Sequence, residues 1–111
     1  MAKFIEMYCD GDRSDEVCLN IVKSDGLKLA LLDRQTDEIC YVAVSQNPFA
    51  IKFVKKQNEE LCLFAVRKSG MVLPMIRNKT LLICQEAVRN NKNVISFVPQ
   101  EYRIHIEFFN H

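Results

Sequence analysis

Residues 37–54 read DEICYVAVSQNPFAIKFV, and residues 59–76 read EELCLFAVRKSGMVLPMI. Aligned, the two stretches agree in character at almost every step: two acids, an aliphatic residue and a cysteine, then Ala-Val, a turn dipeptide and a second apolar run. The same pattern extends outward in both directions. Cys18, Cys40, Cys62 and Cys84 follow one another at intervals of 22 residues. Val17, Ile39, Leu61 and Ile83 precede them. Ile21, Ala43, Ala65 and Ala87 lie three residues after them, and Val22, Val44, Val66 and Val88 four after. Three more apolar columns follow: Leu29, Ile51, Leu73 and Ile95; Leu31, Phe53, Met75 and Phe97; Leu32, Val54, Ile76 and Val98. A fixed period of this length marks a repeat architecture.

Within each unit, the apolar positions at −1, 0, +3 and +4 from the cysteine form one face of a helix. The stop signals Asp25-Gly26, Asn47-Pro48, Ser69-Gly70 and Asn90-Asn91 follow. Asn47-Pro48 also reads as an N-cap with proline at the first helical position. The second apolar run fits a short α- or 3₁₀-helix, although a strand reading is open. A polar connector such as Lys56 to Glu59 leads to the next unit. No unit this short can bury its own apolar face, so the units must stack.

The expected fold is all-α, a short, curved, right-handed α-solenoid of four helix-turn-helix repeats with a C-terminal half-repeat cap. Residues 1–15 form an N-terminal arm, 16–103 the repeats (16–37, 38–59, 60–81 and 82–103) and 104–111 the cap, in one domain. Ile106 falls in the cysteine column and Phe109 in the alanine column. The segment Tyr102 to His111 reads as a half-repeat and a terminal helix, while the alternation of Tyr102 to Ile106 also permits a strand. Ser14 or Asp15 is placed to N-cap the first repeat helix.

The unit C-x-x-A-V-x-x-[NS]-[PG]-x-x-[IL]-x-[FM]-[VI] resembles a bacterial and viral family of short tandem helical repeats of unknown function. The resemblance spans roughly residues 16–103. It is clearest at Cys40 to Pro48 and Cys62 to Gly70, and it departs at Ile21 and Lys92. It implies the solenoid architecture and a bacterial or phage setting, and it brings no catalytic residues.

The chain has 111 residues, 49% of them hydrophobic and 26% charged, with a formal charge of +1. That composition excludes a disordered polar tail and a histone-like polycation. No apolar run reaches the roughly 18 residues of a membrane span. Met1 to Asp10 does not read as a signal peptide, because Lys3 and Glu6 break it. The repeat-equivalent cysteines stand a helix spacing apart, about 8–10 Å, too far for a disulfide. No ligand pair has the close spacing of a zinc site. The cysteines therefore read as small buried hydrophobes in a reducing, cytoplasmic setting, with Cys9 as the one expected to be exposed.

No G-x-S-x-G, H-E-x-x-H, P-loop or G-x-G-x-x-G sequence occurs, so the expectation is no enzyme, no cofactor and no metal. A thiol–imidazole pair of His105 with Cys9 or Cys84 would need a tertiary coincidence. The acid pairs Asp37-Glu38 and Glu59-Glu60 most simply decorate helix N-termini.

Three surfaces could meet a partner. The middle repeats are apolar all round, which leaves Tyr41, Val42, Leu63 and Phe64 for a partner or a second copy, unless the N-terminal arm (Phe4, Ile5, Met7, Tyr8) covers them. Residues 1–50 carry a net charge of −4, with Asp10, Asp12, Asp15, Glu16, Asp33 and Asp37 as an acidic contact. Residues 51–111 carry +5, with Lys55, Lys56, Arg67, Lys68, Arg77 and Arg89 as a basic ridge. The Phe columns read as core, so aromatics for base stacking are lacking. The leading expectation is a non-catalytic protein-binding module, an inhibitor or adaptor, with an inhibitor of a bacterial defence system such as an anti-CRISPR as its specific form. The alternative is a nucleic-acid-associated module using the basic ridge. No membrane association is expected, and homodimerisation is a third possibility.

Overall fold

The computed structural model describes residues 15–109, with side chains through Ile106. The expected N-terminal arm, with Ser14, and the C-terminal His111 lie outside the described residues. Between these limits the chain forms helices and no strand. Four α-helices alternate with four 3₁₀-helices. They run α1 Asp15–Ser24, η1 Gly26–Leu31, α2 Asp37–Gln46, η2 Pro48–Phe53, α3 Glu59–Lys68, η3 Gly70–Met75, α4 Leu81–Asn90 and η4 Lys92–Phe97. A fifth α-helix, α5 Gln100–Phe109, follows. The fold is therefore all-α, with four repeated helix-turn-helix units.

The turn inside each unit is a single residue with two duties. Asn47 sits in extended backbone at φ −149°, ψ 110°. Its N–H donates to Ala43 O at 2.9 Å and closes α2. Its side-chain Oδ1 accepts from Phe49 N at 3.0 Å and opens η2. Asp25 does the same for Leu27 and Asn91 for Asn93. Ser69 closes α3 without a side-chain cap on η3. In the fourth unit the break is thus Asn91-Lys92, and Asn90 ends the helix. At the other end, Thr36, Asn58 and Thr80 cap α2, α3 and α4 by accepting from Ile39, Leu61 and Ile83, each worth about 1 kcal/mol.

The second elements follow a period of three, because residues i and i+3 eclipse in a 3₁₀-helix. Gly26, Leu29 and Leu32 are buried in the first unit, and Gly70, Leu73 and Ile76 in the third. Ala50, Val72 and Val94 form a further core column, which Lys28 hides in the first repeat. One expected core column is corrected. Leu31 and Phe97 are each 44% exposed, and Phe53 and Met75 are half-buried. Phe97 is therefore a surface residue and Phe53 a partly covered one.

The chain divides into two compact units, Met1–Lys56 and Gln57–His111. In the first, α1 packs on α2 and η1 on η2. In the second, α3 packs on α4, η3 on η4 and α5 on α4. The helix α5 keeps the repeat register, with Ile106 fully buried in the cysteine column. It begins at Gln100, two residues before Tyr102. Pro99 replaces the connector, and its carbonyl accepts from Tyr102 and Arg103.

Two polar devices fasten one repeat to the next. Gln35 Nε2 donates to Phe53 O at 3.0 Å, and Gln35 Oε1 accepts from Lys55 N at 2.9 Å. Gln57 repeats this with Met75 O and Arg77 N. Gly26 N donates to Gln46 Oε1 and Gly70 N to Asn90 Oδ1, both at 2.6 Å. Neither glycine has a positive φ. They are small for another reason: each backs onto the helix one repeat further on.

Candidate interaction surface

The four described cysteines sit where the helices pack and carry buried thiols. The Cys40 thiol donates to Gln35 Oε1 at 3.8 Å and Cys62 to Gln57 Oε1 at 3.9 Å. Burial pushes the Cys40 thiol up to about 11, and the nearby Asp37 charge adds to this. Burial likewise pushes Cys62 up to about 11, opposed by Arg77 and assisted by Glu59. Cys84 is raised by burial and lowered in part by Lys79. Such thiols are poor nucleophiles. His105 is exposed on α5, whereas Cys84 is buried, and Cys9 lies outside the described residues. Among the described residues no three His, Cys, Asp or Glu side chains could hold a metal ion. No helix among them is long and apolar enough to cross a membrane.

The expected apolar contact residues are placed unevenly. Tyr41 is 51% exposed on α2, while Val42, Leu63 and Phe64 are half-buried. Lys68 Nζ lies 5.4 Å from the Phe64 ring centroid, so a cation already shields that ring. Of the acidic set, Asp10 and Asp12 lie outside the described residues. Asp15 is ion-paired with Arg34. Glu16, Asp33 and Asp37 are exposed, with Asp15, Glu16 and Asp37 in helix first turns where negative charge is favoured.

The basic residues are likewise not one uniform ridge. In the first unit Lys55 and Lys56 are exposed, and Lys55 Nζ donates to Asp33 O at 3.1 Å. In the second unit Arg67 and Arg89 converge on Glu86, at 3.0 and 3.6 Å. That carboxylate cancels part of the charge they would offer a phosphate. Arg77 and Lys68 are exposed.

Exposed apolar residues that the sequence reading missed lie on the 3₁₀-helices of each unit. The columns Leu27, Phe49, Met71, Asn93 and Leu31, Phe53, Met75, Phe97 are apolar in all but one position. Leu27, Leu31, Phe49, Met71 and Phe97 are exposed. In the first unit Lys52 Nζ lies 5.1 Å from the Phe53 ring centroid. The signal was present as the three-residue spacing of Gly26, Leu29 and Leu32.

Compared with protein-family models, curated proteins and solved structures, the chain finds no match in any of the three. The resemblance in the repeat unit therefore rests on the residues of the repeat itself.

Proposed function

We propose that this chain is a non-catalytic protein-binding module, an inhibitor or adaptor that meets its partner with the outer faces of its 3₁₀-helices. One observation carries the reading: large apolar side chains recur in two columns that the core does not use. Scattered surface hydrophobes need no explanation. Here Leu27, Phe49 and Met71, then Leu31 and Phe97, are exposed at repeat-equivalent positions. Stacking requires small or apolar residues at the core columns and nothing of these two. Repeat proteins characteristically bind partners with side chains that their stacking leaves outside.

The test is affinity capture with the whole chain from a bacterial lysate at moderate salt, with nuclease treatment in parallel. The bacterial setting is suggested by the repeat resemblance alone. One stoichiometric protein that survives nuclease supports the reading. Captured material that vanishes with nuclease sinks it and favours phosphate contacts by the basic residues, with binding falling steeply as salt rises.

A further inference from the structure

We draw no further inference here: the strongest candidate, the exposed pair Leu82 and Ile104 at one register position of the packed helices α4 and α5, where the three preceding repeats carry Glu16, Glu38 and Glu60, is an unpartnered apolar surface patch, and nothing in the structure shows what covers it.

Discussion

Gly26 backs directly onto the carbonyl of Ala43: a Cβ on Gly26 would stand 2.3 Å from Ala43 O. Gly70 has the same relation to Ala87, at 2.5 Å. The obstacle in both cases is helix backbone, which cannot swing aside. Gly26→Ala and Gly70→Ala should each destabilise the fold by about 1–3 kcal/mol, the usual cost of overpacking. Urea unfolding followed by circular dichroism checks this, and an unchanged midpoint in either variant would contradict the packing described.

Gln35 and Gln57 each tie a connector to the repeat that follows, and Lys79 stands in the same column. Its counterpart N–H would belong to residue 99, which is Pro99 and has none. Lys79 Nζ instead donates to Ile76 O at 2.8 Å, and Arg103 reaches Ser96 O and Val98 O. Gln57→Lys should therefore cost about 0.5–1.5 kcal/mol by losing the hydrogen bonds to the Arg77 N–H and Met75 O. Lys79→Gln should be close to neutral. Equal effects of the two substitutions would show that the clip is not what the glutamines supply.

The buried thiols set an alkaline limit on stability. In the unfolded chain a cysteine ionises near its ordinary value of 9.0, whereas Cys40 and Cys62 are pushed up to about 11. Between these values the unfolded chain releases protons that the folded chain keeps. Stability is therefore full below pH 9 and falls as pH rises toward 11, by up to about 2–3 kcal/mol per thiol. Urea midpoints at pH 8 and 10.5 should diverge in the parent and diverge less in Cys40→Ala/Cys62→Ala, where Cys84 is still raised. A double variant with the parent's slope would remove the thiols from the account.

Neighbouring leucines of η1 should behave in opposite ways. Leu29 is fully buried and Leu31 is 44% exposed. Leu29→Ala should cost about 2–5 kcal/mol through lost burial and an unfilled cavity. Leu31→Ser should stay within about 0.5 kcal/mol. Thermal unfolding of both variants reads the difference. A large loss at Leu31 would return its column to the core and remove the apolar face.

The periodicity of the chain determined much of this protein by itself. The spacing of Cys18, Cys40, Cys62 and Cys84 specified the repeat, and the −1, 0, +3, +4 pattern specified the α-helices, because both express which residues leave water. Asn47-Pro48 announced the change of helix, since its chemistry is local. The tertiary structure decided the rest. Six residues between two breaks suit a 3.6 or a 3.0 period alike, and only packing against the neighbouring segment chose the tighter helix and turned Leu31 and Phe97 outward. The glycines looked like turn formers. Their real constraint is a helix carbonyl 17 residues further along, a proximity no local pattern encodes. The basic residues followed the same rule: Arg67 and Arg89 counted as two charges in the sequence, and folding brought Glu86 between them.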